Sequence, residues 1–375
     1  APSAYLYCSP TYARNSVRIT PLSNYTRLTQ LAARIAYLLH SSGNAQSFKS
    51  FSWRAVNVVI EGLELANLPI NLANLRRYIE GDIDGLIVRS VEAYFRTVSH
   101  LESLKAWESR VTEKEGSLSN RSGASETAIR AAALAEHYTN ACLPDNGHPT
   151  IDSMLSILAH NREHYSKLIQ NLLPILQQLT SGEMAGLLSP DYADPTDRRP
   201  IVSLSQVVNK NQVIYVNFET LADSVVGSAF GSLLLADLTS VAADRYSQYD
   251  ESAPSVSVFV DEAAELINEP FVQNLNKGRG AGFQLYIASQ TIADFVAKMG
   301  DQSMAMQVLG NTNTTVSLRV EDPETLQFIS SKFGETRQVQ VEQSMMNTTY
   351  NPAEDMDYGS SHSKRLSQTD IQLVS

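Results

Sequence analysis

The sequence predicts an α/β protein with an all-helical segment set between its two halves. Three observations predict this. At both ends of the chain, short apolar runs alternate with helical patterns, the arrangement of a parallel sheet covered by helices. From about residue 73 to 188 strands nearly vanish and a 3.6-residue periodicity dominates. The 375 residues hold two or three domains, at roughly 100–200 residues each.

The elements follow in chain order. AYLYC, Ala4 to Cys8, is a short apolar strand. Ser23 and Asn24 cue a helix on which Leu28, Leu31, Ala32, Ile35, Leu38 and Leu39 keep the i, i+3, i+4, i+7 spacing, and Gly43 ends it. A second helix runs from about Phe48 to Leu65. In the middle segment the candidate helices are Asp84 to Val98, Glu126 to Ala141 and Ile151 to Leu179, and EKEGSLSNRSGAS reads as a polar loop. SPDYADPTDRRP, Ser189 to Pro200, is a linker that closes this segment. Beyond Pro200 the strand QVIYVNF, a long helix from Ala222 to Tyr246, the strand-to-helix run SVSVFVDEAAEL, and the strands FQLYIASQT and TTVSLRV follow. A helix from Pro323 to Phe333 comes next, and the polar tail from about Met345 reads as loop. The expected divisions are 1–72, 73–188, 189–344 and 345–375.

Composition bounds the function. Apolar residues make up 43% and charged residues 18%, enough for a real core. The 29 basic and 40 acidic side chains give a net charge of −11, which argues against coating nucleic acid with the whole surface but allows a local basic channel. Cys8 and Cys142 cannot make a disulfide scaffold and point to a reducing compartment. The most apolar stretch, Val225 to Ala243, is interrupted by Asp237, short of the roughly 20 apolar residues a bilayer needs. No secretory leader pattern is present. The chain opens APSAYLYCSP and closes IQLVS, which reads as a fragment trimmed at both ends.

One pair of residues breaks the packing logic. Val256, Val258, Phe259 and Val260 run into Asp261 and Glu262, and a buried strand has no packing reason to end in two carboxylates. In open α/β sheets ligands bind at the carboxyl ends of strands. In nucleoside triphosphatases an Asp there orients Mg²⁺ and a following Glu polarises the attacking water. The bland alternative is a helix start, where acids are favoured. KGRGAGFQLYIASQT then places Lys277 and Arg279 in a glycine-rich loop and Gln290 past a strand tip, where an amide could meet a γ-phosphate. Arg279 could reach a neighbouring subunit's nucleotide. No GxxxxGK[ST] phosphate loop exists; the nearest string, GNAQSFKS, has Phe48 where the second Gly belongs and follows a helix.

These residues resemble the type IV coupling proteins of bacterial conjugation, TraD/TraG-like, which are RecA-like ATPases related to FtsK translocases. The resemblance rests on ITPLSNYTRLTQLAARIA, SFKSFSWRAVNVVIEGL, VNFETLADSVVGSAFGSLLLADL, VFVDEAAEL, GRGAGFQLYIASQT and LGNTNTTVSLRVEDPETLQFISSKFGETR. It spans about Ile19 to Arg337, apart from the helical middle, and is nearest the TraD branch of integrative conjugative elements. It implies a RecA-like P-loop NTPase core, a parallel sheet with helices on both faces, carrying an inserted all-alpha domain and lacking here its N-terminal phosphate-loop part. It implies an ATP- and Mg²⁺-dependent translocase that links relaxase-bound single-stranded DNA to a type IV secretion channel. The whole protein would be a homo-hexamer at the cytoplasmic face of the inner membrane; the fragment would be inactive alone and could be monomeric. Asp261 then matches the Walker B aspartate that holds Mg²⁺ through water, Glu262 the catalytic glutamate, Gln290 the sensor glutamine, and Arg279 a trans-acting finger. Lys277 is a candidate for contact with DNA phosphates.

Other signals read as structural. His160 to His164 fits H-x-x-E-H, a zinc signature, on an otherwise polar helical turn. Phe48, Phe51 and Trp53 with Lys49 and Arg54 mix aromatics and cations, but helical spacing favours core packing over stacking on bases. Arg76, Arg77, Arg198 and Arg199 flank the joins of the helical segment, as solvated charges or as partners of acids there. Two readings of other kinds stay open: a non-hydrolysing docking scaffold, and a related DNA-packaging ATPase.

Overall fold

The structure, a computed structural model, describes residues 5–39, 45–98, 106–119, 124–159, 169–220, 223–248, 253–333, 335–345 and 362–372. The chain divides into two compact units, one spanning 1–289 and 294–312, the other 290–293 and 313–375.

The first unit opens with β1 (Tyr5–Cys8) and β2 (Arg18–Ile19), then α1 (Leu28–Ala36) and α2 (Ala45–Leu65). Gln30 turns its side-chain oxygen back to the Thr26 N–H at 2.9 Å and caps α1. Leu31, Ala32 and Ile35 face inward against Val56, Val59, Ile60 and Leu63 of α2. The middle segment is helical throughout its described residues: α3 (Leu72–Glu80), α4 (Ile83–Thr97), α5 (Trp107–Ser119), α6 (Glu126–Ala141), α7 (Leu143–Asn146), α8 (Pro149–Ala159), α9 (Leu173–Leu179) and α10 (Gly182–Leu188). Asn71 and Ser125 accept N–H groups of the first turns of α3 and α6.

Part of the expected polar loop is helix. EKEGSLS completes α5 because Trp107 and Val111 are buried, Arg130 bridges Glu92 and Glu115, and Lys114 meets Glu136 at 2.6 Å. Gly116 sits in open space, so it weakens the helix without breaking it. The single helix expected from Ile151 to Leu179 is α8 and α9, with residues 160–168 outside the described set. Three of the four arginines at the joins pair with acids, Arg76 with Glu80, Arg77 with Asp82 and Arg199 with Asp197, and Arg198 is exposed.

The chain then returns through β3 (Ile201–Val202), α11 (Leu204–Asn209) and β4 (Val213–Val216) to the long α12 (Ser224–Gln248). By length and composition α12 is apolar enough to cross a membrane, yet 72% of that window is buried inside the fold. Its Asp237 is fully buried and pairs with Arg34 of α1 at 2.8 Å. β5 (Val256–Val260), α13 (Ala263–Leu266), α14 (Glu269–Lys277), a 3₁₀ turn (Gly278–Ala281), β6 (Phe283–Ile287), α15 (Ile292–Met299) and α16 (Gln302–Gly310) follow.

The expectation of one parallel sheet covered on both faces is corrected. The parallel strands form three separate pairs, β1 with β4, β2 with β3 and β5 with β6. Helices cover one face of the β1–β4 and β5–β6 pairs. On the other, Tyr7 stacks on Tyr215 and Phe259 on Tyr286, and Phe259 is 74% exposed. No described element covers that face. TTVSLRV, expected as a strand, has no strand partner among the described residues, and Val316 and Leu318 are 83% and 89% exposed.

In the second unit, α17 (Pro323–Ser331) is capped by Asp322, which accepts the Thr325 N–H at 2.9 Å. β7 (Glu335–Met345) and β8 (His362–Gln372) pair antiparallel over eleven residues each, so the tail expected as loop contains a strand.

Candidate functional site

β5 and β6 run parallel in the register Val256 to Phe283 through Val260 to Ile287. Val256, Val258 and Val260 turn one way, onto α12 and the apolar cluster around Phe271 and Phe295; Ser257 and Phe259 turn the other. The ladder continues past the strand tip, where Ala288 donates to the Val260 carbonyl and Ala263 donates to the Ala288 carbonyl. Between these ladder bonds Asp261 and Glu262 bulge outward, both exposed.

Glu262 is in the left-handed region, at φ 49° and ψ 46°. A residue with a Cβ holds that conformation at a cost of roughly 1–3 kcal/mol. The strained residue is useful geometrically. Its N–H donates to Asp261 Oδ1 at 3.0 Å, its carbonyl accepts from Glu265 to open α13, and the turn aims both carboxylates away from the packed face. Among the described residues no group of three acids, histidines or cysteines could hold a metal. A lone exposed carboxylate fits Mg²⁺, which keeps several waters and draws its remaining oxygens from phosphates. Asp261 is the residue that would hold it.

The glycine-rich turn lies at the other end of the strand pair. It precedes β6, whereas Asp261 and Glu262 follow β5, and the strands are parallel. Five residues of strand put the two sets about 16 Å apart, so one chain cannot bring Arg279 and Lys277 to its own Asp261. Both cations are exposed at the crest of a pinned turn. Gly282, at φ +75°, closes it, and Tyr246 lies across Gly280 where a Cβ would come within 2.6 Å of the ring. Arg245 donates to the carbonyls of Ala281 and Pro254 at 3.1 and 2.7 Å. Gln290 is exposed and belongs to the second unit.

A residue not singled out from sequence repeats the pattern of Glu262. Glu219 lies past the carboxyl end of β4, also left-handed at φ 54°. Its carboxylate accepts from Ser9 Oγ at 2.6 Å, from the Thr11 N–H at 3.0 Å and from the Thr11 hydroxyl. Although burial opposes it, hydrogen bonds from Ser9 and Thr11 hold this carboxyl below its ordinary range. The signal was an apolar strand ending in an acid, VIYVNFE, the same grammar as VFVDE.

The other sequence signals resolve as packing or fall outside. Lys49 pairs with Glu269 at 3.6 Å and lies over the Tyr37 ring, while Phe51 and Trp53 pack on the core. Gly43 and Asn44 of GNAQSFKS, and His160 to His164, lie outside the described residues.

Residues 255–374 match the family model described as the TraM recognition site of TraD and TraG. A comparison with curated proteins finds no match. Among solved structures, the bacterial conjugative coupling protein TrwBdeltaN70 in its unbound form is similar at 12% identity and a TM-score of 0.51, over 97% of this chain and 67% of that one. Its trigonal form with sulphate is similar at 13% identity and a TM-score of 0.50, over 90% and 63%. TrwB is also known in complex with the ATP analogue ADPNP, to which this chain is similar at 14% identity and a TM-score of 0.49, over 89% and 64%. The chain thus spans about two thirds of the length of these structures. Residues 255–374 thus match the TraD/TraG family model, and the chain is similar in fold to a conjugative coupling protein.

Proposed function

We propose that the chain is the RecA-like motor part of a coupling protein that uses ATP to move single-stranded DNA, with its relaxase, toward a type IV secretion channel at the inner membrane. The observation that carries this reading is the strained, exposed Asp261–Glu262 turn at the tip of an otherwise apolar strand. In this reading Asp261 holds Mg²⁺ through water, and ATP with Mg²⁺ supplies the phosphoryl group and the charge that neutralises it. Glu262 takes the proton of the attacking water. Gln290 meets the γ-phosphate. Arg279 and Lys277, at the far end of the strand pair, act on a neighbouring subunit's nucleotide and on DNA phosphates respectively, which supports a ring of six copies. The uncovered sheet face supports a strand–phosphate loop–helix packing there in the whole protein. Residues 73–188 form the all-alpha domain of the ring. The family description names TraM recognition, which supports contact of residues 255–374 with a relaxosome protein of that kind.

The test is ATP hydrolysis by the whole protein with and without single-stranded DNA, beside Glu262→Gln. Loss of a general base removes roughly 10²–10⁴-fold of rate, so DNA-stimulated turnover should fall by that factor with nucleotide binding kept. Unchanged turnover in the variant would remove Glu262 from the chemistry. No turnover in either protein would favour a docking scaffold.

A further inference from the structure

Away from the Asp261–Glu262 turn, a cavity of about 260 Å³ opens between α12, α13, the start of α14 and the ends of α15 and α1. One wall is apolar, built by Leu38, Ile175, Val225, Met299 and Met304. The other carries the ammonium of Lys298, whose one hydrogen bond among the described residues goes to Ser228 Oγ at 2.6 Å. Ser228 spends its own proton on the Glu265 carbonyl, so it can only accept from Lys298. No carboxylate lies within 4 Å of Lys298 among the described residues. Lysine is seldom half-buried without an acid beside it, because a charge taken from water needs a counter-charge. Burial pushes this ammonium below its ordinary range, against the attraction of Glu265.

None of the remaining charges around the cavity contacts the Lys298 ammonium directly among the described residues. Glu269 is engaged by Lys49 at 3.6 Å, and Lys49 is itself held over the Tyr37 ring. Glu265 is exposed. Glu265 also lines the cavity and attracts Lys298 from beyond ion-pair distance, so among the described residues the ammonium has no direct counter-charge and one hydrogen-bond partner, while the opposite wall is apolar.

We propose that this cavity binds a small organic carboxylate with an apolar body, its carboxylate on Lys298 and its carbon chain against Ile175, Met299 and Met304. The site is independent of the nucleotide reading. Its occupant would touch α9 of the helical segment and, through Ser228 and the Glu265 carbonyl, the helix that Glu262 opens.

Calorimetric titration of the 375-residue chain with sodium hexanoate, hexylammonium chloride and hexanol at matched ionic strength tests the proposal. Hexanoate should saturate a single site, with the other two bound at least roughly tenfold more weakly, the loss expected when a charged hydrogen bond is removed. Lys298→Met should weaken hexanoate by a similar factor, and Lys332→Met, on the surface of the second unit, should not. Absence of saturable hexanoate binding, equal binding of hexanol or hexylammonium, or full binding by a folded Lys298→Met would overturn it. Should Lys298→Met fail to fold, the three-ligand comparison on the unaltered chain still decides.

Discussion

At Glu262 a single backbone conformation separates what the fold needs from what the site needs. Nothing in the packing of α13 requires a side chain there, since Ala263, Ala264 and Leu266 supply the buried contacts. Glycine occupies the left-handed region without the Cβ penalty. Glu262→Gly should therefore raise stability by about 1 kcal/mol in urea melts of the chain while abolishing turnover in the whole protein. A loss of stability would mean that the carboxylate holds the turn. Cys8 carries the opposite message. It is fully buried at the end of β1, and burial pushes its thiol up to about 12, against the pull of Arg199. The thiolate is the reactive form. Cys8 should thus stay unreactive to a disulfide reagent at pH 8 in the folded chain and react promptly once unfolded. Reaction in the native state would show that β1 opens locally.

At the scale of elements, α1 and α12 are tied by a fully buried ion pair. Arg34 donates to Asp237 at 2.8 Å, to Ser240 and the Asn24 carbonyl at 2.8 and 2.7 Å, and to the Pro21 carbonyl. Asp237 Oδ2 has no hydrogen-bond partner among the described residues. Asp237→Ala would leave the guanidinium buried and uncompensated, at a cost of about 3–5 kcal/mol in denaturant melts; replacing both partners by apolar residues should be far milder. The pair also sets a pH dependence. Burial pushes the Asp237 carboxyl up to about 7, and Arg34 only partly offsets this. A carboxyl raised in the folded state binds its proton there more tightly than in the unfolded chain. Its contribution to stability is full below the ordinary carboxylate range and is lost as pH rises through about 7. Unfolding free energy should therefore decline between about pH 4 and 7, and this part of the decline should vanish in Asp237→Asn.

These elements also show what the sequence could and could not reveal. The spacing of Leu28, Leu31 and Ile35 and the run Glu126–Ala141 read directly as helices, because each has one apolar face to bury. Asp237 read only as an interruption of an apolar stretch; its partner is 203 positions away, and no local pattern encodes that pairing. Helix α5 was hidden by its Ser and Gly content, since its support comes from Arg130 and Glu136 on another helix. The strand TTVSLRV was legible by alternation but finds no pairing partner among the described residues, because strand formation needs a second strand that periodicity cannot supply. At the site, Asp261 and Glu262 stood out as charge at the end of an apolar run. That Arg279 and Lys277 lie at the opposite end of the same strand pair depends on β5 and β6 being parallel, a long-range fact.

At the scale of the whole molecule, the apolar burial described lies mostly in the first unit. Among residues up to Phe333, the last of the chain whose side-chain burial is described, the buried apolar side chains run from Leu6 to Val308. In the second unit the described contacts are local: Thr325 takes its cap from Asp322 and accepts the Ile292 N–H at 3.1 Å, and β7 and β8 exchange backbone bonds with each other. A two-stranded hairpin of this kind has marginal stability alone. Hydrophobic burial is the dominant favourable term in folding, so the cooperative transition should belong to the first unit. A chain ending at Thr312 should then unfold with a midpoint within about 2 °C of the full chain, a shift equivalent to less than about 1 kcal/mol. Hydrogen exchange should show the same division, with amides of α2 and α12 protected to the global limit and those of β7 and β8 exchanging through local opening. A shortened chain that lost its cooperative transition would place core contacts beyond Thr312. In that case residues 313–375 would be part of what folds the molecule, and not an attachment carried by it.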